Sequence, residues 1–204
     1  MLFLMTGACG SGKTSCLEAL GDLVPGIALH DFDTIGVPEN ATPAWRAQAG
    51  QRWLDRVLEH QQQGRDTLLA GQTPLGELLA CPRAIELDGI AACVVDCSDE
   101  ERRRRLASRD ASFGQAHYNW AAWIRGHAVD PQWEPGVIRD ADPTLHWDRW
   151  ERWQRGDRRW SVWRLDTTDL PIEQAARQVA TWMQEQRRLH DQGRGPFSGR
   201  WWDG

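Results

Sequence analysis

The feature that most narrows the fold of this chain lies near its start, where Gly7-Ala-Cys-Gly-Ser-Gly-Lys13-Thr14 satisfies the spacing GxxxxGK[ST]. Met1 to Thr6 (MLFLMT) precedes it, an apolar run of the kind a parallel sheet buries on both faces. SCLEALGDL follows it and reads as a helix closing near Gly21. Glycines between a buried strand and a helix let the backbone curl until successive N–H groups point inward, and the positive end of the helix adds to their field. A loop of that build takes phosphate oxygens. Lys13 then bridges the β and γ phosphates of a nucleoside triphosphate, and Thr14 offers its hydroxyl to Mg²⁺. The expected donor-binding set is Gly7, Cys9, Gly10, Ser11, Gly12, Lys13, Thr14 and Ser15.

Composition sets the limits around this motif. The chain has 204 residues, 41% apolar and 26% charged, enough for one domain with a sizeable core. Lys plus Arg is 24 against 29 for Asp plus Glu, and the net charge of −5 argues against a role in coating nucleic acid. The basic set is 23 arginines and one lysine, and that lysine is Lys13. Cys9, Cys16, Cys81, Cys93 and Cys97 form no CxxC pair and no zinc-finger spacing, so they are expected as reduced, mostly packed thiols. No run approaches the roughly 18 to 20 apolar residues of a membrane span, and a glycine motif at Gly7 leaves no length for a cleavable leader. The expected location is the cytoplasm, with no membrane partner.

Further along, Ile27 to His30 reads as a second strand, followed by the polar turn Asp31-Phe32-Asp33. Trp45, Ala49, Trp53 and Val57 recur at helical spacing between Pro43 and about Gln63, with Gly64 as the stop. Thr67 to Ala70 is a third strand and Ile90 to Val95 a fourth. Ser98 with Asp-Glu-Glu caps a helix through the arginines to Arg109, and a second helical piece spans Asn119 to Ala128. Pro143 to Arg155 is expected as a helix, Trp160 to Leu165 as a fifth strand, and Pro171 to about His190 as a closing helix. Residues 1–190 are expected as one domain, with a lid over about 110–142 marked by Gly and Pro punctuation. The Gly-rich segment 191–204 is expected to be disordered. Strands separated by helices make a parallel sheet covered on both faces, an α/β fold.

The carboxylates nearest the loop are Asp31 and Asp33. They follow the second strand, and in an open parallel sheet that end is the ligand-binding edge. One can serve the Mg²⁺ shell and the other can orient or deprotonate an acceptor hydroxyl. Asp33 is slightly favoured as the base, with Asp31 and Thr14 on the metal; two turn-forming aspartates are the plainer reading. The third strand ends Gly71-Gln72-Thr73 without the Asp of a regular Walker B strand, so metal handling falls on Asp31 or Asp33. Gln72 either positions an acceptor or a water or simply caps the next turn. Of the arginines, Arg105 and Arg109 are expected over the migrating phosphate, Arg102 to Arg104 on the solvated surface, and Arg125 is a weaker substrate candidate. The stripe Trp147, Trp150, Trp153, like Trp120 and Trp123, is read as core packing rather than as a base-stacking surface.

With the phosphate-binding loop at its N-terminus, D-x-D after the second strand, RLASR entering a lid and a last strand ending Asp166-Thr-Thr, the chain resembles the small P-loop kinases. These include nucleoside monophosphate kinase-like, shikimate- and gluconate-kinase-like and antibiotic phosphotransferase proteins. The resemblance implies a three-layer α/β/α P-loop NTPase fold with a five-stranded parallel sheet in the order 2-3-1-4-5 and a helical lid. It also implies ATP with Mg²⁺, transfer of the γ-phosphate to a small-molecule or nucleotide acceptor, metal and acceptor roles for Asp31 and Asp33, and a lid arginine at Arg105 or Arg109. The adenylate-kinase lid cysteines, a Gly-Gly acceptor motif on strand three and the arginine-histidine lid signature of gluconate kinases are missing. Two rival readings are a nucleotide hydrolase with Gln72 orienting water and a non-catalytic nucleotide-binding regulatory protein.

Overall fold

The structure is a computed structural model that describes residues 1–107, 113–139, 142–195 and 197–203. The strands are β1 (Leu2–Thr6), β2 (Ala28–Asp31), β3 (Thr67–Gly71), β4 (Gly89–Asp96), β5 (Val162–Asp166) and β6 (Phe197–Ser198). The helices are α1 (Lys13–Leu20), α2 (Pro43–Gln62), α3 (Leu75–Ala80), α4 (Asp99–Ala107), α5 (Gln115–Val129), α6 (Gly136–Arg139) and α7 (Ile172–Asp191). The first five strands are parallel in the order β2-β3-β1-β4-β5, the order the resemblance implies. β1 sits at the centre, with Thr6 opposite Gly71 on one side and Val94 on the other.

Alternation along β1 divides the core. Leu2 and Leu4 point to the face covered by α2, α3 and α5, while Phe3 and Met5 point to the face covered by α1 and α7. All four are fully buried, as a sheet covered on both faces requires. The second face is conventional, with Cys16 and Leu20 of α1 against Ala176, Val179 and Met183 of α7. Helix boundaries follow local chemistry: Thr42 Oγ1 accepts the Trp45 amide at 3.1 Å at the start of α2, and Ser98 Oγ accepts the Glu101 amide at 3.2 Å at the start of α4.

The first face departs from expectation in two places. Pro143 to Arg155 is no continuous helix: it runs as turns around one 3₁₀ turn, Trp147–Arg149. Its tryptophans nevertheless enter the core, Trp150 at 0% and Trp153 at 3% exposure. What holds the segment is side-chain chemistry, since Arg149 donates to the carbonyls of Leu79, Cys81 and Pro82 at 3.0, 2.5 and 2.9 Å and so closes the C-terminal end of α3. The second departure is the tail expected to be disordered. Phe197 pairs antiparallel with Ile90 and is fully buried, and Trp201 packs edge-on to Trp153 at 6.1 Å. Two aromatic rings supply the apolar area that the glycines around them lack.

Indole and imidazole rings fill this face. Trp150 and Trp160 flank His127, which stacks on Trp123 at 4.7 Å. The indole N–H groups of Trp53, Trp123, Trp150 and Trp160 donate to the carbonyls of Phe32, Glu134, Gly76 and His127 at 2.9 to 3.1 Å. These four donors are therefore satisfied, whereas the buried indole nitrogens of Trp147 and Trp201 and both ring nitrogens of His127 have no hydrogen-bond partner among the described residues.

Candidate functional site

The C-terminal ends of β1 to β5 share one edge of the sheet, and the residues that follow each strand converge there. After β1 the chain turns so sharply that a Cβ on Gly7 would lie 2.2 Å from the Val95 carbonyl oxygen. Gly12 ends the turn at φ +95°, in the left-handed region, and leads directly into α1.

Three successive carbonyls of the loop face outward. Arg102 donates to the Cys9 carbonyl. Arg105 Nη1 reaches the Gly10 carbonyl at 3.2 Å, and the Cys97 thiol reaches it at 3.5 Å. Thr167 Oγ1 donates to the Ser11 carbonyl at 2.8 Å. A peptide unit whose carbonyl is held outward turns its N–H the other way, so the Gly10 and Gly12 amides are turned toward the cleft before any ligand arrives, while the Ser11 amide donates to the Ala8 carbonyl at 3.3 Å. The restraints come from α4 and from the residue after β5, elements distant in sequence from the loop.

Lys13 lies in the same cleft, its Nζ donating to the Ala8 carbonyl at 3.1 Å. Burial lowers its pKa to about 8, against the raising effect of Cys9, Asp31 and Asp33. Asp31 is committed on both oxygens: Oδ1 accepts the Asp33 amide at 3.0 Å, capping the 3₁₀ turn Phe32–Ile35, and Oδ2 accepts the Thr14 hydroxyl at 3.3 Å. Asp33 is exposed, and its pKa is raised by partial burial and by the charge of Asp31, with Lys13 opposing. Cys9, Gly10, Gly12, Lys13, Thr14, Asp31, Asp33 and Gln72 thus line one cleft of about 160 Å³. The two aspartates are therefore not equivalent, a distinction that D-x-D spacing alone leaves open.

Ser15 faces a different space. Together with Gly10, Gly12 and Arg105 it lines a cavity of about 500 Å³ bounded on the far side by the segment from Thr167 to Ile172. This cavity lies beside the residues that follow β5.

The arginines sort differently from their reading in sequence. Arg102, expected on the surface, is fully buried, with Nη2 on Asp96 and Nη1 on the Cys9 carbonyl. The run RRRR hides this because only the helical phase against Gly10, which the fold sets, separates an inward arginine from its outward neighbours. Arg103 and Arg104 are the solvated ones, Arg104 73% exposed and paired with Glu101. Arg105 donates to Glu101 at 2.7 Å and to the Thr167 carbonyl at 2.6 Å, so it braces the loop from beside the larger cavity. Arg125 is paired with Asp96 at 2.5 Å and Asp99 at 2.9 Å. Arg109 lies outside the described residues. The sequence reading passed over Asp96 and quoted Thr167 only within Asp166-Thr-Thr, with no role; their signal was position, the last residue of β4 and the first after β5.

No protein-family model matches the chain, and no curated protein does. Solved structures do. A sugar kinase from Janibacter sp., solved without ligand, superposes with a TM-score of 0.58 at 15% identity over 90% of this chain and 94% of its own. The protein APE1195 gives 0.56 at 17% identity over 91% and 95%. A protein from Chloroflexus aurantiacus, assigned provisionally as a kinase, gives 0.50 at 17% over 90% and 96%. The likeness is one of fold. At such identities it places the chain among α/β proteins with this sheet order.

Proposed function

We propose that the protein is an ATP- and Mg²⁺-dependent phosphotransferase that moves a γ-phosphate to a small hydroxylated or nucleotide acceptor. The observation that carries the reading is the cleft that joins an outward-braced phosphate loop, Lys13, the Thr14–Asp31 pair and the exposed Asp33. Gly7, Cys9, Gly10, Ser11, Gly12 and Lys13 would grip the phosphates, and the nucleoside would lie in the cavity beside Ser15 and Arg105. Thr14 and Asp31 present two hard oxygen donors 3.3 Å apart, which suits Mg²⁺; when bound, the ion neutralises charge on the β and γ phosphates. Asp33 is left to take the acceptor's proton, and its raised pKa brings it nearer the working pH of a general base. Gln72 lines the same cleft and would orient the acceptor. Arg105 steadies the loop and neutralises developing charge.

The test is a thermal-shift screen with Mg²⁺, a non-hydrolysable ATP analogue and a library of nucleotides, sugars and aminocyclitols. A further rise in melting temperature, beyond that from the nucleotide, marks the acceptor. Absence of any shift with ATP or GTP analogues overturns the proposal, and steady phosphate release with no phosphorylated product in the presence of every acceptor assigns the site to hydrolysis instead.

A further inference from the structure

Asp96 ends β4 and lines neither the cleft nor the cavity beside Ser15, yet two lines of contact run from it to the phosphate loop and a third to α5. Its Oδ1 holds Arg102, whose other nitrogen holds the Cys9 carbonyl. Its backbone oxygen accepts from Thr167, through the amide at 2.8 Å and the hydroxyl at 3.0 Å, and that hydroxyl also contacts the Ser11 carbonyl. Its Oδ2 accepts from Arg125 Nε on α5 at 2.5 Å.

Arg102 cannot hold its place alone. A guanidinium with 0% exposure needs a carboxylate beside it, and Asp96, 23% exposed, is the partner it has. The carboxylate also fixes the plane of the fork, because one nitrogen on Asp96 leaves the other aimed at Cys9. Arg125 occupies the remaining oxygen, so the carboxylate cannot rotate without breaking a second charged contact.

We infer that Asp96 is a positioning residue for phosphate binding: acting through Arg102, it keeps the Cys9 carbonyl turned outward and the loop amides turned toward the triphosphate, with Arg125 of α5 locking its orientation. This rests on the phosphotransferase reading above and adds to it a residue that would touch no ligand. The inference separates the grip on the β and γ phosphates, which it assigns to Asp96, from the nucleoside cavity beside Thr168 and Ile172, which Asp96 does not line.

The experiment compares the affinities of ATP and AMP, each with Mg²⁺, by calorimetry on the full chain. AMP lacks the two phosphates that the loop grips. Asp96→Asn is expected to lower the ATP-to-AMP affinity ratio about tenfold, the size of a typical coupling between linked sites, and Asp96→Glu to restore part of it. A residue that only stabilised the fold would weaken both ligands together and leave the ratio unchanged. Should Asp96→Asn not fold, Arg125→Gln replaces a half-exposed side chain, leaves the Asp96–Arg102 pair in place and is expected to lower the same ratio about threefold. An unchanged ratio in folded variants overturns the inference and leaves the phosphotransferase reading standing. A wild-type chain that binds neither ATP nor GTP overturns both.

Discussion

Around the phosphate loop, position is set by hydrogen bonds to individual backbone atoms, whereas between Pro143 and Trp160 ring packed on ring shares that task with the bonds of Arg149 to three carbonyls, in a segment with few regular elements. The loop needs Gly7 and Gly12 because a Cβ would collide or the φ angle would strain, and it needs Arg102, Arg105 and Thr167 because three carbonyls must face out. Between Pro143 and Trp160 the backbone wanders, and Trp150, Trp153 and Trp160 nonetheless meet His127, Phe197 and Trp201 in one core. A directional site loses its function when one atom moves, while a packed region answers to volume.

Substitutions can break this contrast or sharpen it. The largest effect is expected at Asp33, where Asn keeps shape and removes the base: turnover should fall by about 10²- to 10⁴-fold with nucleotide affinity little changed, measured by initial rates and calorimetry. Equal loss in both quantities would place Asp33 on the nucleotide instead. Trp150→Ala should cost about 3 to 5 kcal/mol in urea denaturation, since the ring is fully buried and its N–H is bonded to Gly76. If that variant instead lost phosphate binding while keeping its stability, the division between the two regions would be wrong.

His127 gives a pH test of the packed half. Burial, with a smaller contribution from Arg139, lowers its pKa to about 3, so the folded chain keeps it neutral where the unfolded chain, near 6.5, binds a proton. Stability is therefore complete above pH 6.5 and declines as pH falls toward 3, by about 2 kcal/mol at pH 5 from this group. His127→Phe should flatten that part of the pH dependence of the urea midpoint. Smallest is the effect at Lys13. With a pKa of about 8 in the free protein, raising pH from 7 to 8.5 should weaken triphosphate binding about fourfold as the ammonium is lost. A pH-independent affinity over that range would mean that the amides alone carry the grip.

Much of this was legible beforehand because its causes are local. The glycine spacing, the strand before it and the lone lysine specify the loop, and Pro43 and the cap at Ser98 mark two helix starts within a few residues. The stripe of three tryptophans was correctly read as core, yet the same spacing wrongly suggested a helix, because large rings at intervals of three also fit a chain of turns when an arginine, Arg149, ties down its backbone. The tail misled for the opposite reason: its glycines argue for disorder, and two buried rings outweigh them.

The amino-acid order by itself determined the alternation that splits β1 between two cores, the phosphate loop and the presence of two acids after β2. It did so because those features depend on neighbours within a few residues. Only the tertiary structure decided which acid is tied to Thr14, which arginine of four is buried, and that Asp96 stands behind the loop. Those outcomes depend on helical phase and on partners distant in sequence, as between Arg105 and Thr167, 62 residues apart, and Arg102 and Cys9, 93 apart. Electrostatic pairing in a buried site is fixed by where the chain returns, and no local pattern carries that information.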